Sequence, residues 1–272
     1  MIDRVRLAIL DMNNGTPNQG MRCIKEIVSR YNEEIEYEVF DVRKEGQMPD
    51  LSFDIYISSG GPGSPLLAGE DWEKPFFDLL EDIHKFNKFQ SSPTKFMFLI
   101  CHSFQLACQH FELGTVTKRK STCFGIHPVH KTKEAYNDVI FSHLPDPYFA
   151  VESRDWQVIQ PDLSQFEKHG CQLLSLEKLR THVDFERAIM AIKFSDEIWG
   201  TQFHPEADAI GLKAYLELDE TKDKIVTQFG EDKYYRTLAQ TINPKKIQLT
   251  QDTVLPSFLE YCLEQINSTV IS

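Results

Sequence analysis

Apolar positions in the first part of the chain alternate between strand-like and helix-like spacing. Val5 to Leu10 is a short apolar run closed by Asp11 and the turn-rich stretch Asn13-Asn14-Gly15-Thr16-Pro17-Asn18. Met21, Ile24, Ile27, Val28 and Tyr31 then recur as one face of a helix. Ile35 to Val42 alternates, with Ile35, Tyr37 and Val39 on one face, and Phe53 to Ile57 is a further strand that runs into Gly60-Gly61-Pro62-Gly63. Trp72, Phe76, Leu79, Leu80, Ile83 and Phe86 mark a long amphipathic helix. Phe96 to Ile100 is almost continuously apolar, as a strand covered on both faces of a parallel sheet must be, and Phe104, Leu106, Ala107 and Phe111 continue as a helix.

This rhythm predicts an α/β fold, with a mostly parallel central sheet flanked by helices and ligands bound beyond the carboxyl ends of its strands. From about Gly125 to Phe203 the patterns are shorter: Val139 to Phe141, Tyr148 to Val151, Cys171 to Leu176, Ala188 to Phe194 and Ile198 to Phe203. They predict antiparallel strands added to the same sheet. Ala207 to Thr250 is charged, with helical spacing over Ala209–Leu218 and Lys233–Ile242. Val254, Leu255, Phe258, Leu259, Cys262 and Ile266 predict a closing helix packed on the sheet. No Ser/Gly/Pro-rich linker and no repeat divides the chain, so residues 1–272 read as a single domain with a helical insertion at 207–250.

Composition narrows the partners. With 41 acidic against 29 basic residues the formal charge is −12, and phosphate backbones require clustered Lys and Arg. Lys118-Arg119-Lys120 is the sole basic run and reads as a solvated turn, so nucleic acid is not expected. No apolar run is long enough to span a membrane. Met1 to Arg6 passes into a strand pattern without a signal peptide's apolar stretch, and a cytoplasmic location is expected. The six cysteines form no CxxC pair, which suits reduced thiols better than a disulfide framework. His127-Pro128-Val129-His130 lies too far from further ligands to suggest a metal.

Three distant segments carry chemistry when taken together. Ser58-Ser59-Gly60-Gly61-Pro62-Gly63-Ser64-Pro65 is a glycine turn at a strand end. Cys101 ends the buried strand and precedes a helix whose N-terminus favours a thiolate. Gly200-Thr201-Gln202-Phe203-His204-Pro205-Glu206 places a histidine after a strand, with an acid two residues on. Acyl transfer through a thiol needs this set: a nucleophile, a base oriented by a carboxylate, and backbone N–H groups for an oxyanion. Each alone has a plainer reading: Cys101 as a buried structural cysteine, His204 as a loop histidine, the glycines as a turn. Gly61 offers an N–H that no side chain shields, and His102 offers a second from the helix start.

These motifs resemble the class I glutamine amidotransferase family, over residues 5 to 206 and the closing helix, and are similar to the glutaminase part of GMP synthase. The resemblance implies a flavodoxin-like sheet. It also implies hydrolysis of the glutamine side-chain amide through a γ-glutamyl thioester, with release of ammonia and no cofactor or metal. Cys101 would be the nucleophile, His204 the base and acid, Glu206 its orienter, Gly61 and His102 the oxyanion donors. Gln105, four residues after the nucleophile, would help hold the substrate, and Gly125-Ile126-His127-Pro128-Val129 resembles the stretch after the elbow helix.

The chain departs from that pattern in three places. Leu99 and Ser103 stand where the family elbow carries glycines. Glu152-Ser153-Arg154-Asp155-Trp156 stands nearest a serine–histidine pair found close to the substrate's amino-acid end. Ala207 to Thr250 is additional, a candidate lid or docking surface or simply extra surface helices. No ammonia-acceptor-activating segment, such as an ATP-pyrophosphatase glycine–serine loop, accompanies the motifs. The implied protein is therefore a glutaminase serving a separate synthetase. The alternatives are a γ-glutamyl peptidase acting alone and a non-catalytic protein that binds a partner through the acidic 207–250 segment.

Overall fold

The structure is a computed structural model that describes residues 4–89, 94–179, 186–242 and 244–270. Residues 1–3, within the stretch read for a signal peptide, lie outside it. Among the described residues there is one mixed sheet of nine strands: β1 (Val5–Asp11), β2 (Ile35–Asp41), β3 (Ile55–Ser58), β4 (Phe96–Ile100), β5 (Thr115–Lys131), β6 (Tyr148–Ile159), β7 (Gln172–Glu177), β8 (Ile189–Lys193) and β9 (Ile198–Thr201). Their order is β2-β1-β3-β4-β9-β8-β7-β5-β6. The first five positions pair parallel and the last four are joined antiparallel, as an α/β sheet with added antiparallel strands requires.

Two apolar layers cover the parallel part, and alternation along β4 feeds both. Phe96, Phe98 and Ile100 face α1 (Gln19–Ser29) and the closing α9 (Lys245–Val270), while Met97 and Leu99 face α3 (Glu73–Phe89) and α4 (His102–His110). Every β4 residue is buried, so the strand has no room for a polar face. The closing helix docks through Phe258, whose ring lies 5.2 Å from that of Phe98 and 6.0 Å from that of Trp199. A short α2 (Val42–Glu45) follows β2, and α5 (Leu163–His169) joins β6 to β7.

The antiparallel part differs from its sequence pattern. Val139 to Phe141 is no strand; Phe141–His143 forms a 3-10 turn whose start is fixed by the Asp138 carboxylate, which accepts from the Ile140 and Phe141 N–H groups and from Trp199 Nε1. Residues 115–131 form one long strand, and β6 runs on to Ile159. Lys118-Arg119-Lys120 lies within β5 rather than in a turn, with the Arg119 guanidinium against Gln157 and Glu177. Tyr37 and Val39 on β2 are exposed, because β2 is the outermost strand of the parallel side.

Between β9 and α9 the described residues form three helices: α6 (Ala209–Leu216), α7 (Asp219–Phe229) and α8 (Glu231–Ile242). Asp219–Phe229 had no predicted helix. Its charged sequence carries few apolar positions, and Ile225 is its buried hydrophobic anchor. The three helices pack on Phe124, Ile126 and Val151 of the β5–β6 hairpin through Leu212, Leu216, Ile225 and Tyr234. No helix of the described residues is long and apolar enough to cross a membrane.

Candidate active site

Strand β4 delivers Cys101 to the carboxyl end of the sheet, and the turn into α4 holds it in an unusual backbone conformation. Cys101 has φ +49° and ψ −95°, in a region costing an L residue on the order of 1–3 kcal/mol. Two backbone bonds fix it there: Cys101 N–H donates to Thr201 O (2.7 Å), and Gln105 N–H donates to Cys101 O (3.0 Å). The thiol therefore sits over the sheet at the start of α4, the geometry of a nucleophile elbow.

The elbow forms without a glycine at 99. Leu99 is fully buried and pairs in register with Gly200 of β9. A Cβ on Gly200 would lie 2.9 Å from the Phe104 ring and 3.1 Å from Leu99 O. The close approach of α4 to the sheet is thus made on the neighbouring strand.

His204 follows β9 and is anchored by its backbone, donating its N–H to Val151 O (2.9 Å). Its Nδ1 lies 2.8 Å from Glu206 Oε1, and its ring and the Cys101 side chain both crowd Gly60. With Nδ1 donating to the carboxylate, Nε2 is the ring nitrogen that Glu206 leaves unengaged. Burial pulls the imidazole pKa down, but Glu206 and Cys101 outweigh it and leave the pKa well above the ordinary histidine value. Glu206 itself is buried and lies against the first turn of α1, where a Cβ on Gly20 would come within 3.0 Å of Oε1. The positive end of that helix faces the carboxylate.

The glycine turn completes the site. A Cβ on Gly60 would lie 2.8 Å from His204 Cε1 and 3.4 Å from Cys101 Cβ, and one on Gly61 only 2.3 Å from Met12 O. The turn is wedged between the end of β1 and the Cys–His pair, so both positions need glycine. Arg43 ties the turn down by donating to Pro62 O (2.6 Å) and Met12 O (3.3 Å). His102 begins α4, where first-turn N–H groups have no partner within the helix. Its ring is buried beneath the same loop, with Nε2 3.3 Å from Ser64 O; desolvation, helped by Arg43, lowers its pKa to about 4. It is therefore neutral near pH 7.

All six sequence-derived residues therefore gather around one point at the strand ends. Gln105 arrives by an indirect route: its buried side-chain amide donates to Gln202 Oε1 (3.1 Å), and Gln202 Nε2 lies 3.8 Å from Cys101 Sγ. Gln202 was not anticipated, although a fully buried amide between Thr201 and Phe203 has to find a partner. Gly60 and Gly20 were also missed as individual contributors. Among the described residues no three His, Cys, Asp or Glu side chains gather to hold a metal ion, and His127 instead bonds Phe124 O (3.0 Å).

Beside the site, the stretch that departs from the serine–histidine pattern is a buried ion pair. Arg154 Nε donates to Glu152 Oε2 at 2.7 Å, both side chains being 1% exposed, and Cys123 Sγ donates to the same oxygen. Burial raises the Glu152 pKa, but Arg154 and then His127 bring it below the ordinary range. Burial and Glu152 push the Cys123 thiol up to about 12.

The family model for glutamine amidotransferase class-I matches residues 21–216. The chain belongs to this family. No curated protein sequence matches it. Among solved structures it is similar to a glutamine amidotransferase from Thermotoga maritima, with 18% identity, 96% of this chain and 99% of that chain covered, and a TM-score of 0.71. It is also similar to a glutamine amido transferase from Methylobacillus flagellatus (14% identity, 95% of each chain, TM-score 0.64) and to the protein SMU.1228c (18% identity, 95% and 99%, TM-score 0.64). At these identities the likeness is one of fold, and the class I amidotransferase arrangement of parallel core and added antiparallel strands is what they share.

Proposed function

We propose that this class I glutamine amidotransferase family member is a single-domain cysteine amidohydrolase that cleaves the side-chain amide of glutamine. Cys101 is the nucleophile, His204 the general base and acid, and Glu206 the group that orients it. The Cys101 thiolate adds to the γ-carbonyl carbon, and the displaced electron pair moves onto the carbonyl oxygen. The N–H groups of Gly61 and His102 stabilise that oxyanion; one such donor is worth about 2.7–4 kcal/mol in comparable sites. As the intermediate collapses, His204 protonates the leaving nitrogen and ammonia departs. His204 then takes a proton from water, the hydroxide attacks the thioester, and glutamate leaves as Cys101 is restored. Gln105 acts through Gln202, which it holds near the sulfur. The ammonia would serve a separate synthetase, a GMP synthase-like division of labour.

The observation that carries this reading is the alignment of Cys101, His204 and Glu206 at the strand ends, with the thiol in a strained elbow conformation. It supports an enzyme over a partner-binding protein, which has no need of that strain. A second reading, a stand-alone γ-glutamyl peptidase, is favoured by Glu152–Arg154, since a fixed ion pair next to Val151 replaces groups that would meet a free amino acid. Labelling with a glutamine-like electrophile, followed by mass spectrometry beside Cys101→Ala, tests both. A single adduct on Cys101 that excess glutamine prevents supports the amidohydrolase. Protection by a γ-glutamyl dipeptide but not by glutamine supports the peptidase, and no adduct on the folded protein rejects both.

A further inference from the structure

Ser103, which stands where the family elbow carries glycine, is fully buried and bonded on two sides. Its Oγ donates to Ser59 O at 2.7 Å and lies 2.7 Å from Ser58 Oγ. A hydroxyl has one proton, and the carbonyl must receive it, so Ser58 donates to Ser103 and Ser103 to Ser59 O. Ser59 carries the chain onward: its own Oγ donates to Gly60 O (2.9 Å) and accepts from Met12 N (3.0 Å). Gly60 O and Gly61 N–H belong to the same peptide plane and point in opposite directions across it. Fixing the carbonyl therefore aims the N–H.

The two oxyanion donors come from different elements, Gly61 from the turn after β3 and His102 from the start of α4. Ser103 lies on α4 one residue beyond His102, and its partner is the turn's own backbone. We propose that Ser103 is a positioning residue, whose bond to Ser59 O locks the elbow helix to the glycine turn and sets the spacing of the oxyanion donors. The departure at 103 thus replaces a flexible elbow glycine with a crosslink between the two halves of the hole. This deepens the amidohydrolase reading and rests on it for the identity of the acyl group, but not for the geometry.

Two probes of Cys101 separate positioning from mere stability. Acylation by p-nitrophenyl acetate passes through an oxyanion, whereas alkylation by iodoacetamide displaces iodide and forms none. Rates are read against a Cys101→Ala background. Ser103→Ala is expected to slow acylation between about 10- and 100-fold, as misplacement by up to about an ångström does in other sites, with alkylation within about twofold. Ser58→Ala keeps the Ser103–Ser59 bond and is expected to slow acylation by no more than about threefold. Unchanged acylation in Ser103→Ala, equal slowing of both reactions, or a Ser58→Ala effect as large as that of Ser103→Ala would each overturn the proposal. A wild-type protein that is acylated by the ester yet neither hydrolyses nor is protected by glutamine defeats the substrate reading and leaves the Ser103 result standing.

Discussion

The two halves of the sheet hold buried polar groups in opposite ways. On the parallel side, β3, β4 and β9 are packed in apolar layers, and the polar groups gather at the strand ends, the candidate site at the carboxyl ends and the Lys95–Asp54 ion pair at the amino ends. Cys101, Gly60, Gly61 and His204 owe their positions to backbone bonds and close approaches. On the antiparallel side, charges sit inside the sheet: Arg154 against Glu152, with Glu177 3.9 Å away, and Arg119 against Glu177. Two buried thiols show the consequence. Cys101 lies near an imidazole paired with Glu206, while Cys123 donates to the Glu152 carboxylate, and burial together with that carboxylate pushes its pKa up to about 12. Burial and a facing carboxylate act in the same direction on a thiol, both holding it protonated.

The sharpest break in this comparison is at the thiols themselves. Cys101→Ala is expected to lower glutamine turnover by about 10⁴-fold or more, whereas Cys123→Ala leaves it within about threefold, as ammonia release will report. The next effect is on the buried pair. Arg154→Met strands the Glu152 carboxylate and should cost about 3–5 kcal/mol in urea unfolding. Pairing Arg154→Met with Glu152→Gln should recover most of that loss, and a double variant as unstable as the single one would mean that packing, not charge, holds the hairpin. Gly60→Ala drives a methyl toward His204 and Cys101 and should lower kcat about 10²-fold while shifting the thermal midpoint little. Full activity in that variant would contradict the close approach.

The smallest expected effect is in the pH dependence of stability. The folded pKa of His204 lies above its unfolded value of about 6.5. Its protonated form therefore contributes stability fully below that pH, and the contribution is lost as pH rises through the folded pKa. Glu206→Gln removes much of the upward shift. The unfolding free energy of the wild-type protein should fall more steeply than that of Glu206→Gln as pH rises above about 6.5, and parallel profiles would contradict the His204–Glu206 assignment.

This contrast also explains what could be read from residue order. The parallel strands are short, apolar and bounded by turns, so Val5–Leu10, Phe53–Ile57 and Phe96–Ile100 announce themselves. The glycine turn, Cys101 and the histidine–glutamate pair follow because they sit at the ends of those runs. The hairpin hides: residues 115–131 include Lys118, Arg119, Lys120, Ser121 and Thr122, which look like a surface turn until Glu177 and Gln157 are seen opposite. Asp219–Phe229 hides for a different reason, since a helix anchored by one buried isoleucine shows little periodicity. The linkage of Ser103 to Ser59 was invisible because it joins groups 44 positions apart.

The thioester tests the central claim most directly. Wild-type protein mixed with glutamine, quenched in acid on the subsecond scale and measured by intact and peptide mass spectrometry, should carry a γ-glutamyl group on Cys101 and on no other cysteine. Cys101→Ala should carry none. A glutamine-treated protein without that adduct, whose Cys101 still reacts with iodoacetamide, would contradict the account, as would a γ-glutamyl group mapped to Cys123.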